Sequence, residues 1–250
     1  MKKYELTSET KGERGVTLHR IRALVDIERY GVKAGDLGGW IESEANLDHK
    51  SEAWVSGEAR VFGDAWVFGD AWVFGDARVF GDARVSDDAW VSDDAWVFGD
   101  ARVFGKAQVS GKAQVSGEAW VSGEAWVSGK AQVSGEALVS GEAWVFGDAR
   151  VFGKAQVSGE ALVSGEAWVS KTDHVLTVSP IGSRDDATTF FRTKFLTGFA
   201  ISVCCGCFYG TVDEFRGKVK ATHGDSKHGK AYQLAADLAE TQIELDEEGL

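Results

Sequence analysis

The chain has 250 residues, 44% of them hydrophobic, with 27 Lys and Arg against 39 Asp and Glu and a formal charge of −12. That balance argues against a protein that grips nucleic acid through a basic surface, although an acidic surface can imitate nucleic acid. A single proline and 31 glycines exclude collagen and Pro-rich linkers, and the ordered spacing of the glycines argues against disorder.

The N-terminus, Met1-Lys2-Lys3-Tyr4-Glu5-Leu6, lacks the apolar stretch of a signal peptide, and the three cysteines crowd together at Cys204, Cys205 and Cys207. A reducing, cytoplasmic setting is expected. Val16 to Val25 alternates well enough for a strand, and Gly38-Gly39-Trp40-Ile41 reads as a turn into a first imperfect coil at Ala45-Asn46-Leu47.

From Ser51 to Ser170 the chain is twenty consecutive six-residue units of the form Gly-(Asp/Glu/Lys)-Ala-x-Val-(Phe/Ser), with no insertion or deletion and with Ser51, Asp87 and Asp93 in place of the glycine. Ala fills the third position of every unit, from Ala53 to Ala167, and Val the fifth, from Val55 to Val169. Two residues apart in an extended segment, they share a face, and the variable residue between them points the other way. The Ala and Val columns are therefore the buried ones. Glycine followed by a charged residue then turns a corner every six residues. An amphipathic helix would rotate this pattern around its axis from unit to unit, so helical solenoids are rejected. A β-solenoid remains, with coils stacked at about 4.8 Å.

The run Val-x-Gly-Asp-Ala-x resembles the hexapeptide repeat of the left-handed parallel β-helix superfamily, best known from trimeric acyltransferases. The resemblance implies a mainly β fold in which three hexads close one triangular coil, giving about seven coils and a rod of roughly 30 Å. It also favours a trimer. Because a solenoid exposes backbone at both ends, residues 1–50 are expected to form an N-terminal β cap, 51–170 the β-helix, and 171–250 a small α+β domain. In the last segment Thr188 to Thr193 and Ala200 to Phe208 read as strands around a turn near Gly198, with helices from about Thr211 and His228. Thr211 and Glu214 have capping-box spacing. Residues Val32 to Glu42, together with Ile181-Gly182-Ser183-Arg184, Cys205-Gly206-Cys207-Phe208 and the following Thr-x-x-Glu-Phe, resemble uncharacterised hexapeptide-repeat proteins of bacteria, prophages and bacteriophages. That family brings no assured chemistry.

With an eighteen-residue coil, Trp54, Trp72, Trp90, Trp126 and Trp144 fall on one outward face, interrupted by Gln108 and ended by Leu162. Outward phenylalanines such as Phe62, Phe80, Phe98 and Phe104 add apolar surface. So much aromatic area suggests a subunit contact or a partner, or else stacking that supports neighbouring coils. The repeats carry a charge of −9, concentrated at corners that include Asp70, Asp76, Asp82, Asp87, Asp88, Asp93 and Asp94. Those corners read either as an acidic decoy of nucleic acid or as solvated residues that discourage aggregation. Arg84 and Arg102 are candidate anion contacts.

For chemistry, the superfamily resemblance implies a histidine acting as general base between coils. None of the five histidines lies inside the repeats, which leaves His49 and His174 at the solenoid ends. Cys205, Cys207, His223 and His228 form a weak candidate zinc set, with burial of the cysteines as small apolar residues the alternative. The uncharged stretch Phe195 to Val212 reaches the length of a membrane span, but its glycines favour a hairpin. No phosphate loop or HExxH motif is present.

The expectation is thus a non-enzymatic binding or scaffold protein without a cofactor, oligomeric and cytoplasmic in a bacterial host, with a host protein as a candidate partner. Neither a membrane nor direct nucleic-acid binding is expected. The alternatives are a phage-type inhibitor of a host factor, acting as an acidic decoy or by sequestering a ligand, and an acyltransferase-like enzyme.

Overall fold

A computed structural model describes residues 2–245. Its centre is a parallel β-solenoid of about seven turns. Each hexad supplies one short strand, made in most units of the variable residue and the valine, from β4 (Trp54–Val55) through β23 (Trp168–Val169). Strands eighteen residues apart pair in parallel and in register, as Trp72 with Trp90 and Gln114 with Gln132 show. Three hexads therefore close one coil.

The alternation that the hexad encodes is realised along the whole solenoid. The alanine and valine columns are buried at no more than 1% exposure from Ala53 to Val169, and together they fill the prism. Small side chains suit its narrow bore, and burying each valine is worth about 1.5 to 3 kcal/mol. Backbone groups are satisfied between coils. The N–H of the variable residue reaches the alanine carbonyl of the next coil, as from Trp72 to Ala89 at 2.9 Å. The N–H of the sixth residue reaches the next valine carbonyl, as from Ser56 to Val73 at 2.9 Å.

Two antiparallel strands, β1 (Tyr4–Glu13) and β2 (Val16–Ala23), continue into β3 (Leu37–Ile41), which joins the solenoid by pairing in parallel with Arg60 and Val61. Gly38 and Gly39 lie inside β3 and do not form the turn that their sequence suggests. They are small because space is short: a Cβ on Gly38 would sit 2.5 Å from Ile21 Cγ1, and one on Gly39 2.7 Å from Val55 Cγ1. The first coil is closed by side chains that take over from absent strand partners. Asn46 Nδ2 donates to the carbonyls of Gly63 at 2.8 Å and Ala65 at 2.9 Å, and Lys3 Nζ donates to Ser51 O at 2.8 Å and Ala53 O at 2.5 Å.

At the other end, an antiparallel sheet of β24 (Val175–Ile181), β25 (Asp186–Phe195), β26 (Gly198–Cys205) and β27 (Phe208–Thr211) covers the last coil. Phe191 and Cys204 join the solenoid core directly. The helices α1 (Val212–His223) and α2 (Lys227–Gln242) pack on the opposite side of this sheet through a second core that includes Phe190, Val203, Phe215 and Ala236. Thr211 and Glu214 form the expected capping box. The uncharged stretch from Phe195 lies mainly in β26 and β27, and among the described residues no helix is long and apolar enough to cross a membrane.

Candidate functional site

The solenoid has three outward faces, and its ends treat them differently. The hairpin face carries Trp40, Arg60, Arg78, Trp96, Gln114, Gln132, Arg150 and Trp168 on successive coils. The arginine face carries Trp66, Arg84, Arg102, Trp120, Leu138 and Gln156. The tryptophan face runs from Trp54 to Leu162.

The hairpin of β1 and β2 folds over the first of these faces. Glu13 at its tip reaches both arginines, with Oε2 at 3.1 Å from Arg60 Nη1 and Oε1 at 3.7 Å from Arg78 Nε. Arg14 stacks over Phe80 at 4.5 Å and Trp96 at 5.1 Å, while Lys11 and Arg20 lie over Trp40. Glu58 ties the hairpin at its base by accepting from Lys11, Arg20 and Trp40 Nε1, and the bond from Lys11 is the chief cause that holds its carboxyl below the usual range.

On the tryptophan face the expected ladder is only partly at the surface. Trp54 is buried, because the N-terminal segment covers it: Tyr4 meets it edge-on and Gly38 approaches its ring. Trp72 is half-buried beneath Tyr30, stacked at 4.8 Å. The open part begins at Trp90 and continues at Trp126 and Trp144, where the last two meet edge-on at 5.1 Å and enclose a notch with Ser128 and Phe146. Single-residue periodicity could not reveal the cover, since Tyr4 and Tyr30 lie outside the repeats.

The acidic corners divide by role. Asp87 and Asp93 accept the backbone N–H of Gly105 and Gly111 one coil away. Asp70 and Asp88 pair with Arg29 of the N-terminal segment, and Tyr30 donates to the Asp70 carbonyl. Lys130 pairs with Asp148 and Lys106 with Glu124 across neighbouring coils. Part of the negative charge therefore serves the solenoid. Asp76, Asp82 and Asp94 form no ion pair among the described residues.

His49 stacks on Tyr4 at 4.2 Å and accepts the Lys3 N–H, and His174 is fully buried beside Ser170. Cys205, Cys207 and His223 line one shallow cavity with Arg184 and Tyr232, and the His223 and His228 rings are 6.4 Å apart. Among the described residues no group of three or more His, Cys, Asp or Glu side chains is arranged to hold a metal ion. Cys204 is buried against Ser164 Oγ at 3.2 Å, and burial pushes its thiol up.

These features define a capped parallel β-solenoid whose outward side chains form ladders, some covered by its own ends and some open. Residues 77–93, about one coil, match a family model described as YdcK beta solenoid repeat. None of the curated proteins matches the chain.

Proposed function

We propose that the protein is a non-enzymatic binding scaffold, a stiff solenoid that offers its uncovered ladders to a protein partner. The observation that carries this reading is the open run on the tryptophan face, where Trp90 is 39%, Trp126 37% and Trp144 45% exposed. Exposed indoles on a well-hydrogen-bonded frame, here interrupted once by Gln108, have the composition of interface cores, because large rigid rings bury much area at little entropic cost. The burial of His174 and the engagement of His49 with Tyr4 and Lys3 leave acyl transfer with little support. The resemblance to prophage-encoded hexapeptide-repeat proteins directs the search for partners to bacterial lysates, and self-association through the same face is a further form of the proposal.

The test compares the protein with a variant carrying Trp90→Ala, Trp126→Ala and Trp144→Ala. Partner capture, or the native oligomer mass, is expected to collapse in the variant while its β-type circular dichroism and cooperative unfolding persist. Unchanged capture and mass would overturn the reading, as would thioester turnover that disappears with His49→Ala or His174→Ala.

A further inference from the structure

Two faces of the solenoid carry the same four-coil series. On the hairpin face it is Trp40, Arg60, Arg78, Trp96, and on the arginine face Trp66, Arg84, Arg102, Trp120. The likeness extends to geometry. The Arg78 guanidinium lies 5.0 Å from the centroid of Trp96, and that of Arg102 lies 5.0 Å from Trp120. Phe80 meets Trp96 edge-on at 6.2 Å, and Phe104 meets Trp120 edge-on at 6.0 Å. The corner carboxylate Glu58 before Arg60 has its counterpart in Asp82 before Arg84.

Coverage separates the two. On the hairpin face Glu13 bridges the arginines, Arg14 lies over Phe80 and Trp96, and Trp40 is only 5% exposed. On the arginine face Trp66 is 39% and Trp120 40% exposed, and Arg84 and Arg102 are both exposed with no ion pair among the described residues. In-register pairing sets the two guanidiniums on adjacent strands, about 4.8 Å apart at the backbone, where like charges repel. One carboxylate has two oxygens and can face two guanidiniums at once: on the other face Glu13 accepts a hydrogen bond from Arg60 at 3.1 Å and pairs with Arg78 at 3.7 Å. Flanking indoles exclude water and strengthen such a contact.

We propose that Arg84 and Arg102, walled by Trp66 and Trp120, dock the acidic tip of a β-hairpin from a partner protein. The tip's carboxylate bridges the two guanidiniums, and a basic residue following it stacks on Phe104 and Trp120, as Glu13 and Arg14 do on the hairpin face. This assignment rests on the scaffold reading and names one of its surfaces, separate from the tryptophan face.

The chain supplies its own probe, a cyclised peptide of residues Tyr4 to Ala23, titrated by calorimetry against the full-length protein. Saturable binding is expected, weakened about tenfold or more by Arg84→Gln with Arg102→Gln in the protein, and likewise by Glu13→Gln in the peptide. Arg150→Gln, where a single arginine lies over Trp168 on the hairpin face, is expected to leave it unchanged. Absence of saturable binding, or equal affinity for the Arg84→Gln, Arg102→Gln protein, would overturn the assignment. If the peptide fails while Trp90, Trp126 and Trp144 still govern partner capture, this site falls and the scaffold reading stands.

Discussion

The carboxylate of Asp87 accepts the backbone N–H of Gly105, one coil further along the solenoid, at 3.1 Å. Asp87 stands where the repeat normally has glycine, and its φ of +57° lies in the left-handed region. Aspartate tolerates that conformation better than most residues, and here the side chain adds a bond that glycine lacks. Asp87→Ala is expected to cost about 1 to 2 kcal/mol through strain and a lost hydrogen bond. Asp87→Gly should lie closer to the parent, since it relieves strain while losing the bond. Denaturant melts of the two variants check the order, and an alanine variant as stable as the glycine one would refute it.

Glu13 and Arg60 form a mostly covered pair, with side chains 15% and 12% exposed. Glu13→Ala leaves the Arg60 charge without its partner under the hairpin, at an expected cost of about 2 to 3 kcal/mol. The loss should be local. Amides near Arg14 and Gly15 are expected to exchange hydrogen faster, while those of the middle coils keep their protection.

Burial pushes the Lys3 ammonium down to about 8, despite the opposing pull of Asp48, Asp70 and Glu52. Because this lies below the ordinary value of 10.5, the unfolded chain holds the extra proton between those two pH values. The Lys3 contribution to stability therefore grows as pH rises through that window and is flat below it. A side-chain carbon titration followed by NMR should show a midpoint near 8 for Lys3. A midpoint at the ordinary lysine value would mean that its amine is not enclosed beneath the first coil.

The corner glycines differ in kind from the glycine of the first terminal helix. A Cβ on Gly141, at φ +71°, would stand 2.8 Å from the backbone nitrogen of Gly159, whereas one on Gly217 in α1 meets nothing within 4 Å. Gly141→Ala is expected to destabilise by about 1 to 3 kcal/mol and Gly217→Ala to stabilise by about 0.5 to 1 kcal/mol. Thermal unfolding of both variants checks the opposite signs.

What the sequence made legible follows from where the determining contacts lie. The Ala and Val columns and the rejection of helices depend on spacing within the repeat, and the structure carries them through. Three hexads per coil came from the superfamily resemblance, because a six-residue period alone does not say how many sides a coil has. Burial of Trp54 depends on Tyr4, and the Glu13 bridge spans 47 residues, so neither leaves a mark in local periodicity. The available clue to the bridge was the sequence Glu13-Arg14-Gly15 itself, two charged residues before a glycine that precedes the alternating stretch from Val16. Gly38 and Gly39 misled because close approach and tight turning select the same residue.

Every surface assigned above depends on side chains eighteen residues apart being neighbours. Nitroxide labels at Gln114→Cys and Gln132→Cys test this directly, with Cys205→Ser and Cys207→Ser in the background and the buried Cys204 left in place. Strong spin–spin broadening is expected for this pair, whose strands are adjacent and in register, and none for labels at Gln108→Cys and Gln114→Cys on different faces. Broadening at the six-residue spacing, with none at eighteen, would contradict the coil and the ladders built on it.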